Sequence, residues 1–105
     1  MKRGALHWVT IDKRRPAVIV SPEIRNRHAS DVVVIPCSTS SRPMVWHVRL
    51  ERGEAGLAST CFAKCEQVTT LSKEWIDPAP LGMLSARRLQ ELERALLSAL
   101  GMPPA

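Results

Sequence analysis

Four consecutive β-branched residues, Val32-Val33-Val34-Ile35, set the tightest limit on the fold. Branching at Cβ costs rotamer freedom in a helix and suits the pleated surface of a strand. A run that is apolar at every position has no face for solvent, so it belongs in the middle of a sheet, covered on both sides. Residues 5–11 read as another strand, with Leu6, Trp8 and Thr10 on one face and His7, Val9 and Ile11 on the other. Ala17-Val18-Ile19-Val20 is an apolar strand too short for a helix. A basic turn, Asp12-Lys13-Arg14-Arg15, joins the two, and Pro16 holds Arg15 extended. Residues 21–31 form a polar loop. Pro36 ends the central strand in a hydroxyl-rich loop, residues 36–43, which carries Ser38, Thr39, Ser40 and Ser41.

Residues 44–50 alternate, placing Met44, Trp46, Val48 and Leu50 on one face and Val45, His47 and Arg49 on the other. Trp46 therefore reads as packing and His47 as a surface histidine. Residues 51–56 form a turn, residues 57–71 hold one or two further strands, and residues 77–82 make a rigid connector. Only the tail is helical. Leu89, Leu92, Leu96 and Leu100 recur at spacings of three and four, with Ala95 and Ala99 beside them. Ser85 caps the helix, and Gly101 and Pro103 stop it. The expected fold is mainly β with α: one domain, residues 1–105, built as a small bent barrel whose C-terminal helix covers one opening. A chain of 105 residues buries a modest share of its surface, so a second copy would help it bury more.

Lys and Arg total 15 against 10 Asp and Glu, a net charge of +5 that favours polyanionic partners. No segment approaches the roughly 18 apolar residues that cross a membrane, and no apolar stretch follows the basic N-terminus. A cytoplasmic protein with no membrane partner is expected. Cys37, Cys61 and Cys65 make an odd count, against a secreted disulfide framework. On one strand, Cys61 and Cys65 would lie about 13 Å apart, too far to share a metal. All three read as reduced, packed thiols, with no metal site and no cofactor expected.

Several segments acquire a joint meaning. Arg3-Gly4 before the first strand, Arg15-Pro16-Ala17-Val18-Ile19-Val20-Ser21, Asn26, and Val34-Ile35-Pro36-Cys37-Ser38-Thr39 resemble the first half of the MazF/PemK toxins. Glu66-Gln67-Val68-Thr69-Thr70-Leu71-Ser72-Lys73 is similar to that family's second signature. Leu81-Gly82 and the helix opened by Ser85 also match, in order and spacing. The resemblance implies an SH3-like (PemK/CcdB-like) barrel with a C-terminal helix. It implies a homodimeric, sequence-selective endoribonuclease that cleaves single-stranded RNA without metal and is held in check by an acidic antitoxin. Arg15 matches the family's catalytic arginine and Ser38 its catalytic hydroxyl, with Thr39 the next candidate. Lys13, Arg14, Thr39 and Gln67 are candidate RNA contacts. Gln67 satisfies buried backbone or reads a base, and Trp8 and Trp75 are open between core and base stacking.

These residue types suit the chemistry. RNA supplies its own nucleophile, the 2′-hydroxyl, so a catalyst must align it and neutralise charge growing on the phosphoryl oxygens. A guanidinium offers a planar fork of donors for that purpose, and a hydroxyl adds one more. The chain departs from the family where the loop before Arg-Pro is usually longer and carries an acidic residue. Here Ile11-Asp12-Lys13-Arg14 leads straight into Arg15, which leaves the general base open, with His28 and His47 the titratable alternatives. Two other readings stand beside this one. A CcdB-like toxin would poison a topoisomerase through its terminal helix and need no phosphate clamp. A catalytically silent barrel would only bind nucleic acid.

Overall fold

A computed structural model describes residues 1–40, 42 and 44–103. Ser41 and Pro43 of the hydroxyl-rich loop therefore lie outside the described residues. Among the described residues the chain folds as a bent antiparallel sheet, a half-barrel, with two α-helices. Its elements are β1 (Ala5–Thr10), β2 (Arg14–Ile19), α1 (Glu23–His28), β3 (Asp31–Ser38), β4 (His47–Leu50), β5 (Cys61–Lys64), β6 (Thr69–Ser72), β7 (Gly82–Met83) and α2 (Ala86–Ala99). The strand order is β4-β5-β3-β2-β1-β7, and β6 pairs with β3 just beyond the end of β5. The β-branched run sits in β3, the strand with the most partners. Its first half pairs with β6, its second half with β5, and its other edge with β2.

Alternation along these strands feeds two cores. Leu6, Val18 and Ile35 enter the larger one, with Val48 and Leu50 of β4 and Leu92 and Ala95 of α2. Ala5, Val9, Ala17, Ile19, Val32 and Val34 point the other way into a smaller one with Ile76. This two-sided burial explains why β2 and β3 need no polar face.

Four boundaries differ from the sequence reading. Pro36 does not end its strand: β3 runs on to Ser38, with Pro36 opposite Ala17. Arg14 and Arg15 belong to β2, so the turn shrinks to three residues, 11–13. The 21–31 loop contains α1, which opens after Pro22 and carries Glu23 in its first turn and Arg25, Arg27 and His28 in its last, matching the helix dipole. Asn26 of α1 is fully buried; its amide donates to the Met1 and Ser21 carbonyls, and its Oδ1 accepts from the Ser21 hydroxyl. The 44–50 segment is strand only from His47, with Met44 and Val45 exposed in the approach.

The terminal helix follows its pattern. The Ser85 hydroxyl accepts from the Arg88 amide at 3.1 Å, and Leu89, Leu92 and Leu96 face the larger core. Leu100, at the helix end, is 55% exposed and leaves the stripe. Among the described residues no helix is long and apolar enough to cross a membrane.

Helix α2 is also tied to the turn before β5. The Arg88 guanidinium donates to both Glu54 carboxylate oxygens, at 2.7 and 3.0 Å, and to Glu91 at 2.8 Å. Hydrogen bonding from Arg88 holds the Glu54 carboxyl below its ordinary value. A depressed carboxylate contributes stability above its unfolded pKa and loses it as pH falls through the folded one. The contribution is therefore full at neutral pH and disappears in acid, below about pH 4.5. Arg88→Met is expected to cost about 1–2 kcal/mol at pH 7 and to weaken the acid dependence of the melting temperature. Melts of both proteins at pH 7 and pH 3 check this; equal losses at the two pH values would contradict it.

Candidate active site

The β2–β3 register that sets Ala17 opposite Pro36 brings Arg15 level with Ser38. A cavity of about 490 Å³ opens where these strand ends meet the turn before β5. Five residues singled out by sequence line it together: Lys13, Arg14, Arg15, Ser38 and Thr39. Gln67 does not join them. It is exposed at the end of the short 3₁₀ turn Cys65–Gln67, outside the lining.

Arg15 is the fixed point of this cavity. Its side chain is 16% exposed and bonds through Nη2 to Asp12 Oδ1 at 2.5 Å. The same carboxylate accepts the Lys13 amide at 2.9 Å. Backbone hydrogen bonds, with the Arg15 charge adding to them, hold the Asp12 carboxyl below the usual range, so it stays ionised at neutral pH. Asp12 is itself 71% exposed. The arginine is thus oriented from the solvent side rather than sealed into an interior ion pair. Arg15 Nε is buried and has no hydrogen-bond partner among the described residues. A buried donor left unpaired is costly, and an anionic oxygen would satisfy it.

Trp8, one of the two open tryptophans, joins the lining. The Arg14 guanidinium lies over its ring, 5.0 Å from the centroid, and reaches Asp77 at 3.6 Å. Trp75 is exposed in the turn Lys73–Trp75, away from the cavity. Sequence reasoning missed the opposite wall, built by residues 56–59 with Leu81. Its one signal was the pair of glycines in the turn, Gly53 and Gly56. Gly56 has φ +80°, and a Cβ there would lie 2.1 Å from the Leu81 carbonyl oxygen, so the wall closes by direct backbone contact.

His47 differs from its expected surface placement. Its side chain is 8% exposed and donates through Nε2 to Glu66 at 2.7 Å, while Nδ1 meets the Arg42 carbonyl at 3.1 Å. The Trp46 indole donates to the same Glu66 oxygen at 3.0 Å. This cluster fixes β4 against the turn after β5 and lies outside the Arg15 cavity. His28 ends α1 and is likewise outside it. Cys65 leaves its strand for the 3₁₀ turn. Among the described residues no three His, Cys, Asp or Glu side chains are placed to share a metal ion.

A family model described as PemK-like, MazF-like toxin of type II toxin–antitoxin system matches residues 2–100. The chain is 29% identical over 89 residues to endoribonuclease MazF1 of Mycobacterium bovis, covering 85% of this chain and 81% of that protein. The same figures hold for endoribonuclease MazF4 of Mycobacterium tuberculosis. Among solved structures, an endoribonuclease in complex with its cognate antitoxin from a mycobacterial species superposes with a TM-score of 0.85 at 26% identity, covering 100% of this chain and 99% of that one. The Mycobacterium tuberculosis toxin MazF-mt6 superposes with a TM-score of 0.88 over 95% of this chain and 99% of its own, and at 24% identity it speaks to the fold alone.

Proposed function

This chain belongs to the PemK-like, MazF-like toxins of type II toxin–antitoxin systems, and from that membership we propose that it is an endoribonuclease acting on single-stranded RNA in the cytoplasm. The observation that carries the site is Arg15: a guanidinium oriented by Asp12, level with Ser38, lining a basic cavity with one buried donor unpaired among the described residues. A scissile phosphate in this cavity supplies the missing acceptor. The 2′-hydroxyl of the adjoining ribose loses its proton and attacks phosphorus, charge accumulates on the phosphoryl oxygens, and the P–O5′ bond breaks to leave a 2′,3′-cyclic phosphate and a 5′-oxygen that takes up a proton as the free 5′-hydroxyl. Arg15 neutralises that charge, and the Ser38 hydroxyl donates to the same group. Holding the guanidinium in place beforehand removes reorganisation from the barrier. Thr39 lies one residue beyond Ser38 and takes a neighbouring contact, while Lys13 and Arg14 follow the adjoining phosphates. No step requires a metal. Gln67 is not assigned to this cavity.

The relatives support the rest of the reading. An acidic antitoxin segment suits a cavity rimmed by Lys13, Arg14 and Arg15 and would occlude the RNA path. The active unit is a homodimer. The test is cleavage of a mixed single-stranded RNA pool in EDTA at a short preferred sequence. RNA binding should also weaken steeply between 50 and 200 mM salt, by about tenfold per few phosphates contacted. Absence of cutting with inhibition of a topoisomerase instead would overturn the reading in favour of a non-enzymatic toxin. Binding without cutting would favour a silent barrel.

A further inference from the structure

Two thiols lie against the cavity, and the reaction described above uses neither. Cys37 precedes Ser38 on β3, and Cys61 opens β5. The strands are antiparallel neighbours, with Cys37 opposite Ala63 and Ser38 opposite Phe62. Cys61 is two residues from Ala63, so it is the diagonal partner of Cys37 on the same face. Both side chains enter the larger core, and both line the Arg15 cavity. They are free thiols.

We propose that Cys61 and Cys37 form a peroxide-responsive dithiol under the cavity floor, and that its closure to a disulfide displaces Ser38 and switches RNA cleavage off. The switching half rests on the endoribonuclease reading; the bond-forming half stands without it.

The two sulfurs are unequal. Interaction with the neighbouring Cys37 thiol holds Cys61 below the ordinary thiol range. The same interaction, with burial, pushes Cys37 up and keeps its proton in place. Cys61 is therefore the attacking sulfur and Cys37 the resolving one. The third cysteine is unlike both. Cys65 lies outside the cavity lining, burial pushes it to about 12, and its Sγ faces the Leu92 carbonyl at 3.8 Å.

The oxidant is hydrogen peroxide or another small hydroperoxide, reaching the sulfur through the cavity. The Cys61 thiolate attacks one peroxide oxygen; the O–O bond breaks, and the departing hydroxide takes a proton to leave as water. Cys61 is now a sulfenic acid. The Cys37 sulfur attacks it, the S–O bond breaks, the Cys37 proton leaves with the hydroxyl as a second water, and the S–S bond forms. Two thiols are oxidised by two electrons, and one peroxide is reduced to two waters.

Closure moves the chain. Diagonal side chains across an antiparallel pair stand farther apart than a disulfide allows, so the end of β3 must be drawn toward β5 by roughly 1–3 Å. Ser38 is the next residue and moves with it. A displacement of about 1 Å at a reacting group costs about 10²-fold in rate.

The full chain is treated with hydrogen peroxide, quenched and mapped by mass spectrometry without reduction. A peptide linking Cys37 to Cys61 is expected, with a shift of the Ser38 amide resonance. RNA cleavage should fall about 10²-fold, and dithiothreitol should restore it. In Cys61→Ser and in Cys37→Ser the link is lost, and the ratio of treated to untreated activity stays near one. In Cys65→Ala the link and the ratio match the wild type. A linkage through Cys65, no linkage at all, or a Cys37–Cys61 bond with unmoved Ser38 overturns the proposal. So does a bridged protein that cuts as fast as the reduced one. If either Ser variant fails to fold, as read by circular dichroism, peroxide and dithiothreitol cycling of the wild type decides. If reduced wild type cuts no RNA, the endoribonuclease reading fails, and mapping with the Ser38 resonance still decides the dithiol.

Discussion

Arg15→Ala should cut single-stranded RNA at least about 10²–10³-fold more slowly than wild type, the usual cost of deleting one preorganised donor to a developing oxyanion. The expected loss lies in kcat, because the arginine acts on charge that appears only in the transition state. The fold should survive. Removing this side chain frees Asp12, which is already exposed, and leaves no buried charge behind. Arg15→Lys should recover little, since an ammonium lacks the planar fork. Asp12→Asn should lose less than Arg15→Ala, because it disturbs the orientation of the guanidinium and not its charge. Single-turnover cleavage assays with circular dichroism and thermal melts on the same samples test this. Wild-type rates in Arg15→Ala would remove the active site from this cavity.

The second large effect is on stability. Gly56→Ala should lower stability by at least about 3–5 kcal/mol. At about 4–8 °C per kcal/mol for a chain of this size, the melting temperature should fall by more than about 12 °C. Two costs coincide there. A side chain at φ +80° is strained, and its Cβ would stand 2.1 Å from the Leu81 carbonyl oxygen, which is backbone and has no rotamer to change. Gly53 supplies the control. Its φ is +87°, but nothing among the described residues lies within 4 Å of the added carbon, so Gly53→Ala should cost only about 1–2 kcal/mol of backbone strain. Calorimetry of the two variants separates close approach from strain. Equal losses would show that the Leu81 contact adds nothing.

What the sequence made legible follows from the range of each interaction. The β-branched run announced β3, and the leucine stripe with Ser85 announced α2, because both patterns are local and periodic. The resemblance brought Arg15 and Ser38 forward, and the strand register places them level. Helix α1 was hidden because six residues give too few turns for an apolar period, and its one buried residue is the polar Asn26. The wall at residues 56–59 was hidden because it reaches the cavity through long-range contact with Leu81. His47 was misplaced on the surface because Glu66, which covers it, is 19 residues away. Asp12 sat three residues from Arg15, yet its pairing depends on the turn geometry and not on spacing alone.

The sheet ends in short strands. Its path begins with the four-residue β4 and finishes with the two-residue β7, and β6 beside β3 is four residues long. So few free amides and carbonyls make a poor template for another chain to extend. A second copy of this toxin would therefore meet it through side chains and not through shared ladders, and its association should be far more sensitive to surface substitutions than to backbone methylation along these margins.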